Sequence, residues 1–378
     1  MQKWKNFCSI AAILATGVVT ADQMSASGSN KNMPMDMNRG HEVSADQMGA
    51  GYNQYAEYDL GSNWDWFIQA SFIYWHVSQG AMDIDLSTQR FSDGTTSAFA
   101  NPGHIDFQNF KYKPGFKVAM GFDSQFDNWV PFAEYTWLHH TTKMNKTADE
   151  NQALVLGSWV PAKNNSAQSL SSEWKFDLDI LDFAISRPYY QGTRLTVNPV
   201  VGLRAMWLKQ TNELEFTPFS TQNDPAFTKR AETKYENKSW ALGPRLGFYS
   251  SWHLGAGFRA IGNAFASILY TRYNKVELKS DQVDTASSNL LHVSPVHIRT
   301  SRINTLRPQV EMNLGLGWGE YIFGHDYHID FSATYDFMVF WNQNMNRALS
   351  LRTGGGGAFG DLGDLYIHGL TLTGRFDF

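Results

Sequence analysis

Strict alternation of apolar and polar side chains over long segments constrains this chain more than any other feature of its sequence. Every even position from Leu306 to Trp318 is apolar, whereas the odd positions from 305 to 317 are Thr, Arg, Gln, Glu, Asn or Gly. Strand residues that are two apart share a face, so the pattern predicts a β-strand with one apolar face. Residues 327–341 repeat it. Both segments are about twice as long as soluble strands, which is enough to cross a bilayer at a tilt.

Ten segments of this kind can be traced along the chain. Segment 173–186 differs from the others, because its apolar positions change parity between Ile180 and Leu181, which suggests a β-bulge. Residues 81–91, 104–110 and 289–300 can also form strands, so the sequence is compatible with ten to sixteen strands. The ten clear segments are 64–77, 112–122, 129–139, 173–186, 194–207, 239–248, 258–271, 305–318, 327–341 and 367–378.

The connections between these segments alternate between short and long. Outer-membrane barrels have short periplasmic turns and longer extracellular loops, whereas a soluble β-sandwich has no reason to segregate its loops in this way. The predicted fold class is therefore all-β, a transmembrane antiparallel up-and-down β-barrel with both termini at the periplasmic side. The short connections are 123–128, 187–193, 250–257 and 319–326, and the long ones are 78–111, 141–171, 210–237, 272–304 and 342–363.

The first 21 residues predict export from the cytoplasm. Two lysines precede an apolar run at 7–19, and small residues follow around Ala21, which is the layout of a secretory signal peptide. The run is too short to span a membrane, which needs about 20 residues. The single cysteine, Cys8, lies in this removable segment. The predicted organisation is a signal peptide at 1–21, a flexible N-terminal segment at 22–62 and an outer-membrane barrel at 63–378.

The net charge narrows the kinds of partner, and the composition narrows the kinds of protein, that fit this chain. The formal net charge is −5, which gives no reason to expect nucleic acid as a partner. Aromatic residues make up 15% of an exported chain that has no second long apolar stretch. A secreted β-protein and an outer-membrane barrel both fit this composition. The long alternating segments and the alternating loops favour the barrel, with outer-membrane lipid as its surroundings.

The last strand runs to the final residue. Phe376 shares its parity with Leu372, whereas Asp377 and Arg375 lie on the opposite face. We expect this strand to close the barrel against the first one, with the phenylalanines in the aromatic girdle. A C-terminal Phe also resembles the signal that the barrel assembly machinery recognises. Phe376 and Phe378 are therefore the predicted assembly signal.

Charged residues on the polar faces of the strands are the candidate functional residues. Both signs occur among them, which suits a weakly selective, water-filled pore. The alternative is a polar plug, because a barrel of about ten strands is near the small end, where side chains fill the interior. The pore-lining candidates are Lys113, Lys117, Glu134, Asp177, Asp179, Arg204, Arg245, Arg307, Glu311, Asp330, Asp336 and Arg375.

Other chemistry has little support in the sequence. His139 and His140 have no third ligand at a matching spacing, and they fit exposed rim residues better than a metal site. The methionines between Met24 and Met48 fit a disordered tail better than a copper site. No nucleophile, histidine and acid are brought together by the strand pattern. We therefore predict no metal, no cofactor and no enzymatic activity, although a site on the barrel rim would leave no trace in residue spacing.

Several short blocks together resemble a known family. They are NWDWFIQASFIYW, KPGFKVAMGF, EYTWLHH, VVGLRAMWLKQ, WALGPRLGF, LRPQVEMNLGLGW, FWNQN and LYIHGLTLTGRFDF, between about Trp64 and Phe378. In order and spacing they are similar to the major outer membrane protein family of Legionella and of environmental chlamydia-like bacteria. The resemblance implies an abundant general porin and a trimer or other homo-oligomer. Disulfide cross-linking, known for some members, is not carried over to a mature chain without cysteine.

The sequence thus leads to three hypotheses about function. The first is an outer-membrane porin that allows passive diffusion of small hydrophilic solutes and ions. The second is a surface-structural or adhesin barrel with long extracellular loops and a filled lumen. A barrel enzyme is a distant third.

Overall fold

The computed structural model of the chain describes residues 52–56, 60, 65–89, 103–124, 128–149, 152–156, 166–218, 231–285, 291–300, 302–323, 326–345 and 363–378. The predicted signal peptide at 1–21 and most of the segment 22–62 lie outside the described residues. No helix within the described part has the length and hydropathy that spanning a membrane requires.

The described residues form sixteen β-strands. Their bounds are β1 Tyr52–Tyr55, β2 Trp66–Gln79, β3 Asp83–Gln89, β4 His104–Phe107, β5 Tyr112–Phe122, β6 Val130–Thr147, β7 Gln152–Leu156, β8 Ser166–Ser186, β9 Tyr189–Gln191, β10 Leu195–Pro218, β11 Ala231–Gly255, β12 Phe258–Thr285, β13 Leu291–Thr300, β14 Ile303–Ile322, β15 Tyr327–Phe340 and β16 Leu365–Asp377.

Ten of these strands close into an antiparallel barrel. Neighbours along the chain pair in the order β2, β5, β6, β8, β10, β11, β12, β14, β15 and β16. β16 then pairs with β2 over residues 365–377, which closes the cylinder. The predicted ten-stranded, up-and-down β-barrel is confirmed, and each of the ten segments traced in the sequence corresponds to one barrel strand.

The last residue of the chain takes part in the closure. Trp66 and Phe378 exchange two backbone hydrogen bonds, at 2.9 and 2.8 Å between nitrogen and oxygen. Backbone groups that face lipid have no water to bind, so a closed ladder is the only way for strands to span a membrane. The alternation therefore continues to the terminus because the final residues are part of the seam.

The tight turns lie at one end of the barrel, and the strand extensions lie at the other. β11 and β12 are joined by the two residues Ala256 and Gly257, which have φ angles of 52° and 76°. Positive φ at both central positions matches the twist of a two-residue hairpin. By the rule that outer-membrane barrels have their short turns at the periplasmic side, this end is periplasmic.

At the extracellular end, the strands on one side of the barrel are much longer than those on the other. β10, β11 and β12 have 24, 25 and 28 residues, whereas β2 and β5 have 14 and 11. Parts of the predicted loops 141–171, 210–237 and 272–304 are thus continuations of barrel strands. The short strands β3, β4 and β7 pair with one another beside β8, and β13 pairs with β12. The extra strands expected at 81–91, 104–110 and 289–300 are confirmed.

A second short strand pair is attached at the periplasmic end. β1 pairs with β9, and the backbone nitrogen of Ala56 lies 3.4 Å from the oxygen of Pro188. Residues 52–55 belong to the segment predicted to be flexible, yet they form this strand. Leu60, a little further along, is buried.

The outer face of the barrel is apolar along the membrane-spanning part of the strands. Leu306 and Leu314 on β14 are each 65% exposed, and both lie on the face that the sequence assigned to lipid. Leu203 on β10 and Ile268 on β12 are also more than half exposed. Large exposed apolar surfaces of this kind require a membrane or a partner. The alternate residues of the same strands point into the barrel.

Candidate functional site in the barrel lumen

A buried network of charged side chains lies in the middle of the lumen. Arg204 on β10 donates two hydrogen bonds to Asp182 on β8, at 2.7 and 2.6 Å. Its other terminal nitrogen lies 2.9 Å from a carboxylate oxygen of Glu311 and donates to Gln309 Oε1 at 2.9 Å. Arg245 on β11 lies 3.3 Å from Glu311. All five side chains are buried, so each charge depends on its neighbours in the network to replace the water it has lost.

A second ion pair lies on the other side of the lumen. Lys117 on β5 is 3.6 Å from Asp336 on β15, and both are buried. Asp336 also accepts hydrogen bonds from Thr334 and Thr371, at 3.0 and 2.7 Å. The ammonium group of Lys117 lies 4.8 Å from the ring centroid of Trp75, an arrangement typical of a cation–π contact.

A cluster of apolar side chains fills the lumen on the extracellular side of this network. It is built by eight barrel strands, and each member is at most 3% exposed. We call this cluster the apolar plug. Its members are Ile73, Trp75, Val77, Met82, Leu138, Trp174, Phe176, Leu178, Ile180, Met206, Leu208, Ala241, Leu269, Met338, Phe340, Leu365 and Ile367.

The apolar plug is packed by side chains from several sides of the barrel. A side chain that is less than 3% exposed has no room for solvent beside it, and Trp75, Leu178 and Phe340 from three sides of the barrel all meet this condition. An eight-stranded barrel is just wide enough for side chains to fill, and ten strands widen it only modestly. Aromatic and branched side chains are therefore large enough to fill this section completely.

The periplasmic mouth is also lined by paired charges. Arg375 donates to Asp377 at 2.8 and 2.5 Å, and His328 Nδ1 lies 3.1 Å from the same carboxylate. Asp330 is paired with Arg259. A cleft of about 80 Å³ lies at this end and is lined by Leu60, Phe67, Arg375 and Asp377 among others.

Ten of the predicted pore-lining residues lie on the lumen face of their strands. They share the parity of the buried residues, and most of them take part in the contacts described above. Their position agrees with the strand pattern, whereas a role in conduction stays a prediction. The ten are Lys113, Lys117, Glu134, Arg204, Arg245, Arg307, Glu311, Asp330, Asp336 and Arg375.

The prediction is wrong for Asp177 and Asp179, which lie on the outer face of β8. They alternate with Leu178 and Ile180, which belong to the apolar plug, and Asp179 accepts a hydrogen bond from Tyr135 at 2.6 Å. The predicted bulge is also wrong, because β8 pairs in continuous register with β6 and β10 through residues 169–186. The apolar residues change parity because β8 leaves the membrane here, so its inner face becomes the apolar one.

Several charged residues of the lumen were not among those predicted from the sequence. Asp182 is the main partner of Arg204, and its inward position follows from the lipid-facing parity of Leu181 and Phe183 on either side. Arg259 and His328 at the periplasmic mouth were also missed. The apolar plug left no local signal, because it depends on side chains that meet across the barrel.

Metal binding finds no support among the described residues. His139 Nε2 lies 3.0 Å from Asp179, and its Nδ1 lies 4.0 Å from Asp177, on the outer wall. His140 points inward and stacks with Phe176 at 5.2 Å between ring centroids. In the described ranges, no group of three or more His, Cys, Asp and Glu side chains is placed to hold a metal ion.

The chain matches the sequence profile of one protein family. The sequence profile described as the Legionella pneumophila major outer membrane protein precursor matches residues 59–378, which is the whole barrel. The chain belongs to this family. The resemblance found in the sequence is therefore confirmed, and this family member lies in the outer membrane. No curated protein matches the chain.

Several solved structures show a distant likeness to this family member. The outer membrane protease OmpT from Escherichia coli has 10% identity and a TM-score of 0.37, with 89% of this chain and 99% of that chain covered. The toluene transporter TodX from Pseudomonas putida has 8% identity and a TM-score of 0.28, with coverages of 84% and 90%. A FadL homologue from Pseudomonas aeruginosa has 8% identity and a TM-score of 0.28, with coverages of 83% and 90%. At these scores no function is transferred.

Proposed function

We propose that this family member is a surface-structural barrel of the outer membrane, whose lumen is closed to the diffusion of solutes. The observation that carries the proposal is the apolar plug, in which side chains from eight strands are buried against one another. A water-filled pore needs a continuous polar path, so a packed apolar section across the lumen supports a barrel that is closed to solutes. The lumen thus favours the second hypothesis drawn from the sequence, a surface-structural or adhesin barrel with a filled lumen.

The extracellular extensions support a role at the cell surface. β8, β10 and β11 continue beyond the membrane, and together with the short strands β3 and β7 they form a second buried cluster that includes Leu154, Leu214 and Phe216. Packing of this kind makes the described part of the extension a compact body. A rigid surface of this size is suited to contacts with the surrounding envelope or with other cells.

A porin is the second candidate, and the buried charges favour it. Taking Arg204, Asp182 and Glu311 out of water is costly, and buried ion pairs of this kind contribute little net stability. If these side chains only had to fill the lumen, apolar residues would do so equally well. Opposite charges facing one another across a lumen are used by weakly selective channels. In this candidate, small hydrophilic solutes and ions would pass when the plug rearranges.

The proposal includes a non-enzymatic role. Three of the lumen carboxylates that could act as acids or bases are paired with basic side chains: Asp182 with Arg204, Asp330 with Arg259 and Asp336 with Lys117. Insertion by the barrel assembly machinery and formation of a homo-oligomer stay predictions.

Loss of the protein from cells separates the two candidates. A strain without the gene should show weaker resistance to detergent and osmotic shock, while its uptake of small sugars and amino acids stays at the parental rate. Restoring the wild-type gene is the control. Slower uptake of these solutes in an otherwise intact envelope would contradict the structural proposal and support the porin. Swelling of liposomes that contain the purified protein and are diluted into sugar solutions gives the same answer without cells.

A further inference from the structure

Tryptophans on the outer face mark where the long strands leave the membrane. Trp207 on β10 lies directly opposite Trp240 on β11 in the strand register. Trp207 is 48% exposed, and the outward residues on its periplasmic side are apolar, as Leu203 and Leu242 show. Trp and Tyr collect at the membrane–water interface of barrels. The outward residues immediately beyond the tryptophans are therefore at the height of lipid head groups.

The first charged residues beyond this boundary are basic on three adjacent strands. Lys209 on β10 pairs in register with Lys238 on β11, which in turn pairs with Lys275 on β12. Arg272 on β12 lies opposite Trp240, nearer the membrane than the three lysines. We call Lys209, Lys238, Lys275 and Arg272 the basic row. Lys209 and Lys238 are each nearly half exposed at their side chains.

Like charges directly opposite one another on a sheet are unfavourable, because their side chains begin about 5 Å apart. Part of the repulsion in the basic row is offset by carboxylates. Glu236 lies 3.0 Å from Lys238 and 2.7 Å from Lys275, and Glu277 lies 2.7 Å from Lys275. Both glutamates are two residues further from the membrane than the lysines they contact. The two glutamates therefore pair with the basic row on its extracellular side.

The membrane side of the basic row is less well satisfied. The Nε of Arg272 is buried and has no hydrogen-bond partner among the described residues. Lys209 has Asp177 at 3.7 Å, which is a long ion pair. Arginine binds phosphate with two parallel hydrogen bonds, and lysine binds it as a point charge. An anion placed between Arg272 and the lysines would therefore relieve the repulsion among these groups.

We propose that the basic row binds the phosphate groups of an outer-leaflet glycolipid, with the sugar ring over the tryptophans and the acyl chains against the apolar strand face below. The position of the basic row favours a lipid over a free anion, because the row lies directly beyond a lipid-facing surface that includes Leu203, Leu242 and Tyr270. Each basic group near an anionic membrane surface adds to the attraction. This site lies on the outside of the barrel, so it does not depend on whether the lumen conducts.

Binding of diphosphorylated lipid A to the purified full-length protein tests the proposal. The site variant carries Lys209→Gln, Lys238→Gln and Arg272→Gln, and it keeps Lys275 for its contacts with Glu236 and Glu277. The matched control variant carries Lys143→Gln, Lys175→Gln and Lys234→Gln. These lysines are also outward and paired with carboxylates, but they lie further from the membrane. Heat-modifiable gel mobility is used to check that both variants fold. Native mass spectrometry in detergent then measures the bound lipid.

We expect the site variant to bind lipid A at least about tenfold more weakly than wild type, whereas the control variant keeps wild-type affinity. Dephosphorylated lipid A should bind poorly to all three proteins, and inorganic phosphate should compete only at far higher concentration. Equal loss in both variants would show that overall charge alone attracts the lipid and would overturn the proposal. Equal binding of dephosphorylated lipid A, or displacement by inorganic phosphate at the concentration of the lipid, would also overturn it. A site variant that changes oligomeric state and keeps its lipid would assign the row to contact between copies of the chain.

Discussion

Arg204 and Asp182 form a double hydrogen bond inside the barrel, at 2.7 and 2.6 Å, between two neighbouring strands. The side chains are 2% and 1% exposed, so neither charge has access to water. Because a buried ion needs its partner, the two residues depend on each other far more than an exposed pair would.

Removal of one partner should therefore be severe. In the Asp182→Ala variant, we expect the free energy of unfolding to fall by about 3 to 5 kcal/mol, because Arg204 loses its closest carboxylate. Asp177→Ala on the outer face of β8 is the matched control and should cost less than about 1 kcal/mol. Urea titration of the proteins refolded in lipid vesicles measures both values. Equal losses in the two variants would place Asp182 and Asp177 in similar surroundings and contradict the inward position of Asp182.

The lipid-facing parity of β14 gives a second prediction. Val310 points outward within the membrane-spanning part, so Val310→Arg should destabilise the barrel by about 2 to 4 kcal/mol if it lies at the bilayer midplane. Glu320→Arg, on the same outer face near the periplasmic end, is the control and should have little effect. The same urea titration applies. A silent Val310→Arg substitution would mean that the faces of β14 are assigned the wrong way round.

Strand β8 shows how far the sequence can be used to predict the faces. The period of two was enough to find all ten barrel strands, because alternation persists whichever face is apolar. It was not enough to say which face points inward, since the apolar face of β8 is outer at Phe183 and inner at Phe176. The surroundings of a strand change from lipid to water where it leaves the membrane. The parity change in the sequence, interpreted as a bulge, is thus the result of this change of surroundings.

The terminal phenylalanine gives a prediction about assembly. If Phe378 is an assembly signal, Phe378→Ser should strongly reduce folded protein in the outer membrane of cells, while refolding of the purified chain into detergent stays nearly normal. The burial of a Phe contributes only about 1.5 to 3 kcal/mol, and the backbone hydrogen bonds between Phe378 and Trp66 do not need its side chain. Heat-modifiable gel mobility in isolated membranes and in refolded samples measures both effects.

Two results would count against the assembly signal. Wild-type amounts of folded Phe378→Ser protein in the outer membrane would remove the signal but leave the barrel intact. An equal defect in cells and in detergent would assign the effect to stability. Phe376→Ser, which affects the other residue of the predicted signal, gives an independent comparison within the same strand.

Acid should loosen the hairpin of β12 and β13 in the extracellular extension. Hydrogen bonds from Lys275 and His297 lower the pKa of Glu277 from 4.5 to about 2. A carboxylate with a lowered pKa in the folded state stabilises that state above its unfolded pKa, and this stabilisation is lost as the pH falls from 4.5 towards 2. Amide hydrogen exchange near residues 276–280, corrected for intrinsic rates, should therefore be faster at pH 3 than at pH 5. The difference should largely vanish in Glu277→Gln, and an unchanged difference there would rule out Glu277 as its source.

The state of the lumen could not be predicted from the sequence. Charged residues such as Arg204 and Glu311 were correctly placed on inner faces by parity, and both signs were consistent with a pore. The closure of the lumen depends on whether Trp75, Phe176 and Phe340 meet, and these residues come from strands that are far apart in the sequence. Only the closed cylinder brings them together. The inward position of Asp182 follows from strand parity, whereas its pairing with Arg204 is seen only in the folded barrel.

Single-channel recording on the wild-type protein in a planar bilayer tests the closed lumen most directly. Insertion is verified by recovering folded protein from the membrane, and a general porin added to the same bilayer serves as the positive control. Because the apolar plug fills the lumen, we expect stable insertion with no conductance steps over a wide range of voltage. Regular, long-lived conductance steps from the wild-type protein alone would contradict the closed lumen and establish the porin in its place.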